Sequence, residues 1–133
     1  MIRFISDSLI ITQTIDTLEV YIAAKAFRKE VVSIATTFPK EEKFLLVAQM
    51  KDSARSVSAN IAEGYGRYHY QEAIQYCRIS GGSLLETYDH LSSVLDENYI
   101  TEIIFQELKV KQEHLLKILN GYIAYLKRRK QEG

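Results

Sequence analysis

Hydrophobic residues recur along most of this chain at alternating steps of three and four, the spacing that keeps side chains on one face of an α-helix. Val20, Ala23, Ala24, Phe27, Val31, Ile34, Ala35 and Phe38 follow it first, while Lys25, Arg28, Lys29 and Ser33 take other directions. This predicts a helix from about Asp16 to Thr37. Phe38-Pro39 ends it, because proline disfavours helical geometry in the residue before it, and Pro39, Glu41 and Glu42 suit the first turn of the next helix. A second stripe of Leu46, Met50, Ala54, Val57 and Ile61 carries that helix from about Glu41 to Glu63. Gly64-Tyr65-Gly66 is then expected to close it with a left-handed glycine cap. Ser56, Ser58, Ala59 and Ala62 are small enough to let another helix approach closely.

The third segment has the clearest period: Tyr70, Ile74, Cys77, Gly81, Leu84, Tyr88, Leu91 and Leu95 alternate steps of four and three throughout. Gly81-Gly82 in its middle costs about 1 kcal/mol per glycine relative to alanine, so close backbone contact or a local bend is expected there. Asp96-Glu97-Asn98 closes this helix, and Thr101 followed by Glu102 reads as the cap and first turn of a fourth. Phe105, Leu108, Gln112, Leu115, Leu119, Tyr122 and Leu126 form the fourth seam, with Gln112 its one polar position.

Short connections, and no sustained period of two, predict an all-α, antiparallel up-down-up-down four-helix bundle. It is expected to span residues 16–130, between an N-terminal extension, 1–15, and a short tail, 131–133. The extension is apolar but interrupted by Asp7, too short a run for a membrane span or signal core. It is expected to pack on the bundle or on a neighbouring subunit, with a frayed terminus as the alternative.

Length and charge narrow the reading further. A chain of 133 residues, 47% hydrophobic with one proline, suits a single core. Its 17 basic residues balance 17 acidic ones, so overall charge gives no pull toward nucleic acid or an anionic membrane, and any such binding needs a local patch. Cys77 is the only cysteine, which excludes an internal disulfide and a cysteine-rich zinc site and implies a reducing, cytoplasmic setting.

Four motifs occur in order: Leu18-Glu19-Val20; Phe38-Pro39-Lys40-Glu41-Glu42-Lys43-Phe44; Ser56 to Arg67, with Ala59-Asn60-Ile61-Ala62-Glu63-Gly64 at its centre; and Gly82-Ser83-Leu84-Leu85-Glu86. In these the chain resembles the four-helix-bundle family of 23S rRNA intervening-sequence proteins, from about Leu18 to Leu126. The resemblance implies a bundle that assembles as a five-subunit ring. It also implies an RNA setting: members are encoded within intervening sequences of 23S rRNA genes, and distant relatives are accessory proteins of diversity-generating retroelements that contact RNA and a reverse transcriptase. The chain departs from the family pattern at Asp52, where a second basic residue commonly follows Lys51, and at Ser58, where proline is usual.

Candidate chemistry is sparse. A di-iron bundle needs glutamate three positions before each of two histidines, but Gly66, Thr87 and Lys111 precede His69, His90 and His114. No arginine stands five to seven positions ahead of a histidine, as a helical ribonuclease of the Arg-x(4–6)-His type requires. No catalytic, cofactor or metal residue is therefore assigned, and the chain is read as a non-enzyme. Asn60, Glu63, Arg67, Glu72, Ser83 and Glu86 form either a salt-bridged joint or a ligand site in which Arg67 grips an anion. Tyr65, Tyr68 and Tyr76 are open to two roles, lining a subunit interface or stacking on bases. Lys127, Arg128, Arg129 and Lys130 favour the C-terminal dipole of the fourth helix; repeated around a homopentamer, they would also make a positive surface for RNA. The expected partners are thus the chain itself and RNA or an RNA-handling protein such as a reverse transcriptase, the alternative being a purely protein-interaction module.

Overall fold

The computed structural model describes residues 14–133, so the expected N-terminal extension lies outside the described residues except for its last two. A 3-10 turn at Ile15–Thr17, capped by the Thr14 hydroxyl, leads into α1, Glu19–Ala35. It is followed by α2, Ala48–Tyr65, α3, Tyr70–Asp96, and α4, Glu102–Glu132. Each helix packs on its chain neighbours and α4 returns against α1, so the four-helix bundle expected from the periodicity is the fold. Met50, Ile61, Ile74, Leu84, Leu91, Leu115 and Leu119 are fully buried in one core, each contributing about 1.5–3 kcal/mol through burial.

The second helix opens less simply than its sequence implies. A 3-10 turn at Lys40–Glu42, in which the Glu42 amide bonds to the Pro39 carbonyl at 3.0 Å, passes into a π-helical turn at Lys43–Val47. Regular α-helix begins only at Ala48. The wider turn absorbs an extra residue. Val47, its last residue, and Met50 beyond it face the core, while Leu45 stays exposed.

Two expectations about glycine are corrected. Gly66, at the end of α2, has φ −76°, a right-handed conformation, and among the described residues no glycine has positive φ. Gly64 is needed for space instead: a Cβ there would lie 2.9 Å from the Tyr76 Cβ and 3.1 Å from the Ala73 carbonyl oxygen. At Gly81 a Cβ would make only ordinary contact, 3.7 Å from Leu119, and at Gly82 it would meet nothing within 4 Å. The helix runs unbroken through both, so the close approach lies at the α2–α3 joint and not in mid-helix. The left-handed cap falls on Asn98, φ 62°, after α3, where the Tyr99 amide bonds to the Val94 carbonyl and that of Asn98 to Leu95, both at 2.9 Å. Thr101 caps α4 as expected, accepting from the Ile104 amide at 3.2 Å.

α2 and α3 form the most extensive pairing in the bundle, and it is polar inside. Ser53, Ser58, Ser80, Ser83 and Thr87 are all buried. Thr87 donates to Ser53 at 2.8 Å or to the Ser83 carbonyl at 2.9 Å, Ser56 and Ser83 share a 2.7 Å bond, and Ser80 donates to the Val57 carbonyl. Small hydroxyl residues satisfy one another and nearby carbonyls here, so these buried hydroxyls do not hold the helices apart. The α1–α4 seam is looser. It is bridged by Lys111 and Glu30 and keeps an apolar cleft of 390 Å³ between Phe27 and Leu115, with His114 at its edge.

Candidate nucleic-acid interface

The residues singled out in the sequence gather mainly at one end of the bundle. α2 stops at Tyr65, the Arg67 amide bonds to the Gly64 carbonyl at 3.2 Å, and His69 in extended conformation starts α3. Arg67 therefore sits on the turn itself. Its guanidinium pairs with Glu63 at 3.0 Å and Glu72 at 4.0 Å, donates to the Tyr76 hydroxyl at 2.9 Å, and lies 5.2 Å from the centre of the Tyr76 ring. The hydrogen bond to Tyr76, ahead of the two carboxylates, raises the Arg67 pKa above its usual value. Its Nε is buried without a hydrogen-bond partner. Three partners on two helices make Arg67 a joint between α2 and α3.

This changes the reading of the tyrosines. Tyr76 was expected to be available for stacking or for an interface, but Arg67 covers its face and binds its hydroxyl. Tyr68 projects from the turn, 74% exposed, and Tyr65 is half-buried. Asn60 does not join Arg67; it donates to the Ser56 carbonyl at 2.8 Å and hydroxyl at 2.9 Å, extending the polar seam that contains Ser83. Glu86 stands apart, 3.3 Å from His90 on the solvent side of α3.

The basic run of α4 reaches the same end. Lys130 donates to Gln71 in the first turn of α3. Arg129, whose pKa is raised by the neighbouring Tyr70 first, lies 3.8 Å from Glu132. These contacts hold the last turns of α4 beside the α2–α3 turn, and Lys127, Arg128 and Lys130 stay exposed. Residues some sixty positions apart are thus brought to one end of the bundle: the turn that carries Arg67, Tyr68 and His69, and the last turns of α4 that carry Lys127 to Lys130. The opposite end has another character, with Tyr99 packed on Phe38 at 5.5 Å. Burial first, then Glu42, Glu97 and Glu41, raise the Tyr99 pKa.

Comparison with known proteins sets this geometry in a family. Residues 16–121 match the family described as 23S rRNA-intervening sequence protein. The chain belongs to that family. A crystal structure of a protein of unknown function from the S23 ribosomal protein family, from Bacteroides thetaiotaomicron, superposes with a TM-score of 0.73. It is 22% identical over 80% of this chain and 96% of its own, a likeness of fold. No curated protein matches the chain. The stretch shared with the 23S rRNA-intervening sequence proteins contains the Arg67 joint and the polar seam, and it ends before Lys127. Among the described residues no helix is long and apolar enough to cross a membrane, and no group of three His, Cys, Asp or Glu could hold a metal ion.

Two features were not anticipated from the sequence. Ser53, Ser80 and Thr87 lie at helical spacing beside the apolar stripes, and that spacing was the available signal. Arg28, Lys29 and Arg55 come together between α1 and α2, which no local pattern announces because the residues meet only once the hairpin is paired.

Proposed function

We propose that this chain is a non-enzymatic, homo-oligomeric helical bundle that binds RNA through its basic end. The observation that carries the reading is the docking of Lys130 on Gln71, which brings the last turns of α4, with the exposed Lys127, Arg128 and Lys130, to the end of the bundle that carries Arg67 and the exposed Tyr68. Cations that track a backbone and an aromatic that can stack are the two parts of a single-stranded nucleic-acid surface. Membership in a family described by 23S rRNA intervening sequences supports RNA as the partner. Self-association would repeat the basic end around an axis and give a neutral chain a concentrated positive face. α3 offers a surface for that contact: Ile79 and Leu85 are exposed on either side of Gly82, where the missing Cβ allows close approach.

Filter binding of structured rRNA fragments across a salt series tests the reading, with light scattering for subunit number. Salt-dependent binding at micromolar protein, with more than one subunit, is expected. Binding absent at low salt would overturn it.

The same outward face of α3 supports a second reading, a protein-interaction module, with an RNA-handling protein such as a reverse transcriptase as the partner. Under it, replacing Ile79 and Leu85 by lysine abolishes partner capture and removing residues 127–133 leaves it intact. The RNA reading requires the opposite effect of the truncation on RNA binding.

A further inference from the structure

Residues 14–133 contain sixteen lysines and arginines and sixteen aspartates and glutamates, yet the pairing is uneven. Arg67, Lys111 and Arg129 each have a carboxylate within 4.0 Å. Among the described residues Arg28, Lys29 and Arg55 have none, and these three line one open cleft of 440 Å³ between α1 and α2, together with Val32 and Ser33.

The hairpin register brings them together. Arg28 reaches from α1 to the buried Ser58 hydroxyl on α2, donating at 3.1 Å, and Ser58 in turn donates to the Arg55 carbonyl at 3.3 Å. One serine thus ties the side chain of one arginine to the backbone of the other. A single N–H of Arg28 makes that bond, and a guanidinium has five donors in a fixed fork, so most of its hydrogen-bonding capacity remains for a ligand. Lys29 and Ser33 are one turn apart on α1, adding an ammonium and a hydroxyl. Asp52, one turn before Arg55 on α2, lies beyond ion-pair distance of it. Three like charges around one cleft repel one another, and a bound anion relieves the repulsion.

We propose that this cleft is a phosphate-binding site in which Arg28, Lys29 and Arg55 converge on phosphate oxygens and Ser58 positions Arg28. Two arginine forks and a lysine suit a multiply charged phosphate, or successive phosphates of a chain, better than one carboxylate. A nucleic-acid backbone and a free polyphosphate both carry the required group. The site is separate from the basic end of the bundle and stands without it.

The test uses the full chain, inorganic tripolyphosphate and a short single-stranded RNA as separate probes. Two variants are compared with the parent: Arg28→Gln/Lys29→Gln/Arg55→Gln in the cleft and Lys127→Gln/Arg128→Gln/Lys130→Gln at the bundle end. Tripolyphosphate is expected to shift the Nε–Hε resonances of Arg28 and Arg55 in the parent protein. The cleft variant should bind it at least about tenfold more weakly, while the end variant keeps it. Ser58→Ala should weaken it less than the triple change. If the cleft variant also loses about 2 from its log–log salt slope for RNA, the phosphate is that of a backbone. If its RNA binding is unchanged while tripolyphosphate binding falls, the ligand is a small phosphate and the RNA reading rests on the end variant alone. Unmoved arginine resonances at millimolar tripolyphosphate, or loss of tripolyphosphate binding in the end variant only, would overturn the proposal.

Discussion

Gly64 on α2 and Tyr76 on α3 stand so close that a Cβ added to the glycine would lie 2.9 Å from the Cβ of the tyrosine. The Ala73 backbone is nearly as near, with its carbonyl oxygen at 3.1 Å and its Cα at 3.2 Å, so the helix pair would have to part to admit a methyl group. Gly64→Ala is expected to destabilise the bundle by about 1–2 kcal/mol, the strain outweighing the gain in helix propensity. Gly121→Ala, at a position where a Cβ meets nothing within 4 Å, should stabilise by up to about 1 kcal/mol. Urea denaturation of both variants checks the pair, and equal effects would contradict the steric account.

The polar seam predicts coupling between Ser53 and Thr87. Thr87→Val keeps the shape but removes the donor, and the loss should be about 1–2 kcal/mol. Ser53→Ala with Thr87→Val should cost less than the two single changes added together, because neither partner is then left unsatisfied. A double-mutant cycle by denaturation measures the difference, and strict additivity would mean that the bond contributes nothing.

Cys77 is buried in the core, and burial pushes its pKa from 9.0 up to about 12. At pH 8 it should resist a thiol reagent in the folded protein and react once the protein is unfolded. Between pH 9 and about 12 the unfolded chain releases a proton that the folded chain retains, so stability falls as pH rises through that window. Comparing the parent with Cys77→Ala at pH 8 and pH 10.5 isolates this contribution, since other groups titrate in both. The parent should lose more stability than the variant.

Lys127, Arg128 and Lys130 are the exposed cations of the basic end. Replacing all three by glutamine should lower the log–log salt slope of RNA binding by about 2, at roughly 0.7 per phosphate contact on a single strand. Thermal unfolding of the same variant should be nearly unchanged, because exposed charges at a helix end contribute little to stability. A slope equal to that of the parent would remove these residues from the proposed RNA surface.

Ile79 and Leu85 test the proposed assembly surface. Lysine at both positions should reduce the subunit number seen by light scattering and leave the helical circular dichroism signal unchanged, since both side chains face solvent in the single chain. An unaltered subunit number would remove this face from the proposed assembly.

Much of this protein was legible along the chain. Spacings of three and four marked the buried faces around Phe27, Met50, Leu84 and Leu115, and Thr101 announced the start of α4, because helix period and capping are local properties of a few consecutive residues. Local motifs likewise carried the family, through the run from Ala59 to Arg67. A periodic pattern says which face is buried but not which residue lies opposite. Gly64 and Gly82 are the same residue type in the same kind of helix, yet one is packed against Ala73 and Tyr76 and the other faces outward. The partnership of Ser53 with Thr87, the capture of Tyr76 by Arg67, and the meeting of Arg28 with Arg55 around Ser58 all depend on the register between helices. Only the packed bundle decides that register, through contacts between residues nine to more than thirty positions apart.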